Sequence, residues 1–258
     1  MANFIKRKKS KKPAKSEKKQ RKGRVRIFYF LLIGLCVVLF LPVIYVALTA
    51  VWDPPISPMQ LQRILQAWEE GRSEKRQAIQ WKTLDEIPQP LIHYIWASED
   101  QLFFEHDGFD FKELEKAIQE VLDRKKGGGR GASTITMQAA RSVYLWQGRS
   151  YIRKALEAYF TIWMEFLLSK QRILELYLNH IELGRGVYGV GAGAEAQFGK
   201  PISRLTKSEM LAMAAILPNP REWSAAHPNE QVYAKIRRLQ RLSSNSRFPL
   251  QEIEAEKK

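Results

Sequence analysis

Apolar residues recur at helical spacing along most of the chain that follows residue 58. Residues able to cap a helix precede several of these apolar segments, at Asp110, Ser150, Ser169 and Thr206. No run alternates apolar and polar residues for long enough to indicate a strand. The pattern therefore predicts one all-α domain over residues 53–248, followed by a polar tail at residues 249–258.

A much longer apolar run occupies residues 27–52 and contains no charged side chain. As a helix it would be roughly 39 Å long, which is enough to cross a hydrocarbon core of about 30 Å with some tilt. A cleaved signal peptide is the alternative. However, the run is longer than a signal core of about 7–15 residues, and no small-residue cleavage site is evident. We therefore expect an uncleaved transmembrane helix.

The net charge of +15 belongs almost entirely to residues 1–26, which hold thirteen Lys or Arg residues and one Glu. The rest of the chain is nearly balanced. A dense basic segment on one side of an apolar helix predicts a cytoplasmic N-terminal tail by the positive-inside rule. Membrane lipid is then the nearest anionic partner of the tail, and we expect no binding to nucleic acid.

Residues 98–110 hold five acidic side chains and one histidine among aromatic residues. Glu99 is expected near the C-terminus of a helix, where the helix dipole, Asp100 and Glu105 all disfavour a negative charge. Such an environment suits a general base or acid, although a surface glutamate fits the same pattern. No second histidine lies at metal-ligand spacing from His106, so we predict no metal site.

A glycine-rich segment at residues 127–131 precedes the hydroxyl groups of Ser133 and Thr134. Backbone amides at such a helix start are suited to binding an anion, while ordinary N-capping is the alternative role of either hydroxyl. Four cations follow in an otherwise balanced domain: Arg141, Arg149, Arg153 and Lys154. Arg153 and Glu157 are spaced to pair on one helix face. This grouping indicates a diphosphate-binding site, with an isolated ion pair as the alternative.

Five motifs resemble, in order, those of glycosyltransferase family 51, the peptidoglycan glycosyltransferases, and of its monofunctional members in particular. They are Glu99–Asp110, Gly131–Gln138, Arg153–Glu157, Glu175–Asn179 with the glycine stretch that follows, and Leu217–Pro220. The resemblance covers about residues 80–230. Ala132, Met137 and Arg141 stand where glycine, glutamine and lysine are usual, and arginine keeps the charge of lysine but not its geometry.

The resemblance implies a lysozyme-like α-helical catalytic domain that polymerises lipid II into glycan strands on the periplasmic side of the inner membrane. Glu99 would be the general base that takes the proton from the 4-hydroxyl group of the acceptor sugar. That oxygen would attack the donor with inversion as undecaprenyl diphosphate leaves. Substrate-binding roles are implied for nine residues: Asp100, His106, Ser133, Thr134, Gln138, Arg141, Arg149, Arg153 and Lys154.

The resemblance also implies that Glu157 is a second catalytic acid. It would orient the cations or a divalent ion, Mg²⁺ or Mn²⁺, at the diphosphate, and no other cofactor is expected. The chain ends too soon for a transpeptidase domain, and its only Ser-x-x-Lys, Ser16–Lys19, lies in the basic tail. We therefore expect no transpeptidation. Other cell-wall synthesis or division proteins are candidate partners.

Two alternative functions share part of this pattern. A glycan-cleaving, lysozyme-like enzyme would share the fold and a catalytic glutamate, but it needs no diphosphate site. A catalytically weak membrane scaffold would need neither Glu99 nor Glu157.

Overall fold

The computed structural model describes residues 14–71, 79–122, 133–148, 150–246 and 248–249, and the chain divides between Tyr45 and Val46 into two compact units. Helix α1 (Ala14–Leu48) begins within the predicted basic tail. Its segment Arg26–Leu48 has a mean hydropathy of 2.9, and its most apolar window is not buried against protein. The predicted apolar helix is therefore present, with the length and composition of a single-pass anchor.

Helix α1 ends at Leu48, four residues before the predicted boundary at Trp52. Thr49 ends it by donating its hydroxyl hydrogen to the Val46 carbonyl at 2.7 Å. The same hydroxyl lies 2.6 Å from the hydroxyl of Tyr144. Val46 and Thr49 are fully buried, so the last turn of α1 contributes to the core of the second unit.

The second unit is built from helices, as the sequence predicts. They are α2 (Pro58–Glu69), α3 (Gln89–Glu99), α4 (Phe111–Leu122), α5 (Ile135–Tyr144), α6 (Tyr151–Leu167), α7 (Lys170–His180), α8 (Val190–Phe198), α9 (Lys207–Ile216) and α10 (Glu230–Asn245), with short 3-10 helices at Leu84–Glu86 and Ile202–Arg204. The predicted caps of α6, α7 and α9 accept backbone hydrogen bonds from Arg153, Arg172 and Glu209. Asp110 likewise accepts from the Glu113 amide at 2.9 Å. The all-α class is confirmed.

A short antiparallel hairpin, β1 (Glu182–Gly184) and β2 (Val187–Tyr188), lies within the glycine-rich stretch and was not predicted. These strands are too short to produce an alternating pattern. Gly186 forms the turn with φ of +73°, a conformation that favours glycine. Gly193 allows α8 to pack closely on β1, since an added Cβ would lie 2.5 Å from Leu183 Cδ1.

Helix α5 forms the centre of the domain, packed against both α6 and α7. Ile135, Ala139, Ala140 and Val143 on this helix are fully excluded from solvent. Interiors of this kind are close-packed, so side chains that project from α5 start from a rigid base. Helix α3 packs against α9 and α10 and brings its C-terminal end to the same region as the start of α5.

Arg172 of α7 holds the segment that leaves the apolar helix. Its Nε donates to the Thr49 carbonyl at 2.7 Å, and its Nη2 donates to the Trp52 carbonyl at 2.9 Å and to Asp53 Oδ1 at 2.7 Å. The guanidinium also lies 5.1 Å from the centroid of the Trp81 ring, a cation–π distance. Residues 49–53 are therefore held in place within the second unit.

Candidate active site

Glu99 is the last residue of α3 and is half-buried at the edge of a cleft. Ser98 donates its hydroxyl hydrogen to Glu99 Oε1 at 3.2 Å. Gln138 of α5 donates to Glu99 Oε2 at 2.9 Å. Both donors are neutral, so the carboxylate is positioned without being neutralised by a cation.

Tyr177 of α7 fixes the orientation of the Gln138 amide. Its hydroxyl donates to Gln138 Oε1 at 3.3 Å, which turns the amide nitrogen towards Glu99. Burial, and after it the negative charge of Glu99, raises the pKa of Tyr177 well above its ordinary range. Tyr177 therefore remains a donor. Tyr177 lies within the Glu175–Asn179 motif, but the spacing of that motif alone predicted no contact with Gln138.

Asp100 and His106 connect the acidic loop to the start of α5. His106 Nδ1 accepts a hydrogen bond from the Gly108 amide at 3.1 Å, so its Nε2 carries the proton and donates to Asp100 at 3.0 Å. Asp100 Oδ2 also accepts from the Ile135 amide at 2.9 Å. The structure thus uses these two predicted substrate-binding side chains to position the elements beside Glu99.

The two hydroxyl groups at the start of α5 have different roles. Thr134 is the N-cap: its Oγ1 accepts from the Met137 amide at 3.2 Å and donates to the Gly108 carbonyl at 2.7 Å. Ser133 is half-buried and lines the cleft that contains Glu99. Ordinary N-capping therefore accounts for the Thr134 hydroxyl, while Ser133 lines the cleft.

Glu157 lies on α6 and is fully buried. Arg153 Nη1 donates to its Oε2 at 3.1 Å, and Lys154 Nζ donates to its Oε1 at 2.5 Å. The predicted pair of Arg153 and Glu157 is present, and Lys154 completes a three-residue cluster. Each oxygen of Glu157 therefore faces one cation. No three His, Cys, Asp or Glu side chains converge elsewhere in the part of the chain that the structure describes.

Two clefts divide the predicted site residues between them. The cation-lined cleft, about 590 Å³ in volume, includes Gln138, Arg141, Arg153 and Tyr177 in its lining. The acidic cleft, about 440 Å³, is lined in part by Glu99, Asp100, Ser133 and Thr134. Gln138 joins them, because it lines the first and bonds to Glu99 in the second.

Two other predicted residues, Lys154 and His106, lie outside the lining of these clefts. Lys154 contacts Glu157. Arg149 lies outside the described residues, as do Ala132 and the glycine-rich segment before it.

The cation-lined cleft contains two further arginines that the sequence did not single out, Arg63 of α2 and Arg221 after α9. Arg221 is paired with Glu182 at 2.9 Å. Neither residue lies in a motif, so only the fold brings them to Arg141 and Arg153. The cleft is therefore more cationic than the sequence indicates, which favours a polyanionic ligand.

Comparison with known proteins gives the family. The transglycosylase family model matches residues 63–243. Proteins named biosynthetic peptidoglycan transglycosylase are similar to most of the chain. That of Xanthomonas campestris pv. campestris (strain B100) is 46% identical over 189 residues, which are 73% of this chain and 76% of that protein. That of Caulobacter vibrioides (strain ATCC 19089 / CIP 103742 / CB 15) is 39% identical over 215 residues, 83% and 90% of the two chains. The chain therefore belongs to the transglycosylase family, which confirms the enzyme class expected from its motifs.

Proposed function

We propose that this chain is a monofunctional peptidoglycan glycosyltransferase that polymerises lipid II into glycan strands. The observation that carries the proposal is the position of Gln138, which lies between a half-buried carboxylate and a cleft lined with arginines. An inverting transfer from a lipid diphosphate needs a base at the acceptor and positive charge at the leaving group. The two clefts supply one each.

Glu99 is the general base in this reaction. The acceptor sugar occupies the acidic cleft, and Glu99 takes the proton from its 4-hydroxyl group as the oxygen attacks the anomeric carbon of the donor. Gln138 and Ser98 hold the carboxylate in place. Asp100, through its bonds to His106 and to the Ile135 amide, fixes the end of α3 to the start of α5, the helix that carries Gln138.

Arg141 and Arg153 bind the diphosphate that leaves with the lipid. Guanidinium groups are suited to this because they bind phosphate oxygens with two parallel hydrogen bonds. Glu157 acts through Arg153 and Lys154 and is a positioning residue, since its own oxygens are occupied. A divalent ion held by the diphosphate itself would add positive charge at the leaving group.

The catalytic domain also presents an apolar face suited to a bilayer surface. Helix α6 exposes Tyr151, Ile152, Ile162 and Phe166 on one side, opposite buried Glu157, and Tyr151 and Phe166 are 97% and 78% exposed. An aromatic and aliphatic stripe of this kind fits the interface of a membrane. With α1 as anchor, the domain would work on the periplasmic face of the inner membrane, where its lipid-linked substrate is held.

The test is polymer formation from lipid II by the purified full-length protein and by Glu99→Gln, with and without moenomycin. We expect glycan strands from the wild type only, and none when moenomycin is present. Cleavage of preformed glycan strands, without polymer from lipid II, would favour a lysozyme-like enzyme. A folded, membrane-reconstituted wild type with neither activity would favour a scaffold.

A further inference from the structure

Arg63 lies on α2, the first helix after the apolar segment, and its side chain lines the cation-lined cleft together with Arg141 and Arg153. Helix α2 packs directly on α5, the helix that carries Arg141. A residue close in sequence to the membrane exit is therefore part of the wall of the substrate cleft.

The hydrogen-bonding capacity of Arg63 is largely unused. Its Nη1 donates to Gln66 Oε1 at 3.1 Å. Its Nε is shielded from solvent and makes no hydrogen bond of ordinary geometry to the described residues, and the same holds for Nε of Arg153 in this cleft. A buried donor without a partner is unfavourable. An anion in the cleft would satisfy both guanidinium groups.

The charge of Arg63 is also not neutralised. Arg221 in the same cleft pairs with Glu182, whereas Arg63 has no acidic partner among the described residues. The Arg63 guanidinium acts on Tyr188 both through its charge and as a side-chain hydrogen-bond partner. Burial raises the pKa of Tyr188, so that hydroxyl stays neutral and supplies no counter-charge. The free positive charge therefore faces the ligand space.

We propose that Arg63 is a substrate-binding residue that contacts the diphosphate of the lipid-linked donor, alongside Arg141 and Arg153. The inference rests on the proposed function. A lipid diphosphate lies at the surface of the bilayer, and α2 begins soon after the apolar helix ends, so Arg63 comes from the part of the domain nearest in sequence to that surface. Arginine binds phosphate oxygens through charge-assisted hydrogen bonds.

The experiment measures binding of undecaprenyl diphosphate to the full-length protein in phospholipid nanodiscs. Arg63→Met keeps the aliphatic stem but removes the charge, Arg63→Gln keeps polarity, and Arg63→Lys keeps charge without the planar fork. Arg204→Gln is the matched control, because Arg204 is exposed on the 3-10 helix Ile202–Arg204 and lines neither cleft. Thermal unfolding identifies which variants are folded. If only one of Arg63→Met and Arg63→Gln is folded, the binding affinity of that variant is sufficient to test the proposal.

We expect Arg63→Met and Arg63→Gln to bind undecaprenyl diphosphate about tenfold more weakly than the wild type, as for the loss of a charge-assisted hydrogen bond. Arg63→Lys should lose less affinity and Arg204→Gln none, and KM for lipid II should rise in the neutral Arg63 variants. Wild-type affinity in a folded neutral variant would overturn the inference while leaving the proposed function intact. Failure of the wild type itself to polymerise lipid II would instead contradict the proposed function.

Discussion

The two buried or half-buried glutamates of the site differ in what surrounds their oxygens. Glu99 accepts hydrogen bonds from a hydroxyl and an amide, both neutral, at the edge of an open cleft. Glu157 is fully buried and accepts from two cations. The same side chain is thus free to take up a proton in one place and committed to charge pairing in the other. The hydrogen-bond partners of a carboxylate, more than its residue type, therefore decide which role it is suited to.

The strongest test of this difference is Glu99→Gln. Glutamine has the same shape but cannot take a proton, so we expect transfer from lipid II to fall by about 10²–10⁴-fold with little change in thermal stability. Glycan-strand formation and thermal unfolding are measured together. The neighbouring exposed Glu105→Gln serves as control and should remain active. An active Glu99→Gln enzyme would mean that another group is the base.

Glu157→Gln should differ by losing stability as well as activity. It leaves Arg153 and Lys154 without their counter-charge, and breaking a buried ion pair costs about 3–5 kcal/mol of the free energy of unfolding. We expect activity to fall about 100-fold because Arg153 is no longer held at the leaving group. Denaturant unfolding measures the free energy of unfolding of Glu157→Gln and of Glu99→Gln, and we expect the loss only in Glu157→Gln. Equal stability of the two variants would contradict the assigned positioning role.

Gln138→Ala tests the connection between the clefts. The substitution removes the donor to Glu99 Oε2 and the acceptor of the Tyr177 hydroxyl, so we expect about a tenfold loss in kcat and about 1 kcal/mol of stability. Steady-state kinetics with lipid II measure the first and thermal unfolding the second. Gln240→Ala, on the exposed side of α10, is the control. An unchanged kcat would show that Glu99 is positioned without Gln138.

The smallest effect is expected outside both clefts, at the apolar face of α6. Phe166→Glu places a charge where the bilayer surface is proposed to lie, and we expect about a threefold loss of activity in nanodiscs but none in detergent. Tyr233→Glu on α10 is a control of similar chemistry, because Tyr233 is also an exposed aromatic residue. Equal losses in detergent and in nanodiscs would argue against a membrane contact.

Local signals predicted the fold well. Helix caps at Ser150, Ser169 and Thr206, the apolar run, and the ion pair between Arg153 and Glu157 each depend on residues close in sequence. Such local interactions require residue types at fixed spacings, which can be recognised in the sequence. The end of α1 was less predictable, because it depends on a distant partner, Arg172, as well as on Thr49.

The site was predicted only where it coincides with motifs. Arg63 lies in no motif, and the Glu175–Asn179 motif that contains Tyr177 does not by its spacing indicate a role for that side chain. Both residues reach the cleft through packing of α2 and α7 against α5. The bond from the Ile135 amide to Asp100 likewise crosses between elements far apart in sequence. The spacing of residues along the sequence does not indicate contacts between distant elements. The residues that position a site are therefore harder to predict than those in its motifs.

The hydrogen bonds to Glu99 distinguish its two carboxylate oxygens as possible acceptors of a proton. A serine hydroxyl can rotate and change from donor to acceptor, whereas an amide NH₂ group can only donate. Because Tyr177 prevents the Gln138 amide from turning over, Oε2 always faces a donor, while Ser98 can reverse its bond to Oε1. In the proposed reaction we therefore expect Oε1 to be the oxygen that takes the proton, because the two carboxylate oxygens have different hydrogen-bond partners before any sugar binds.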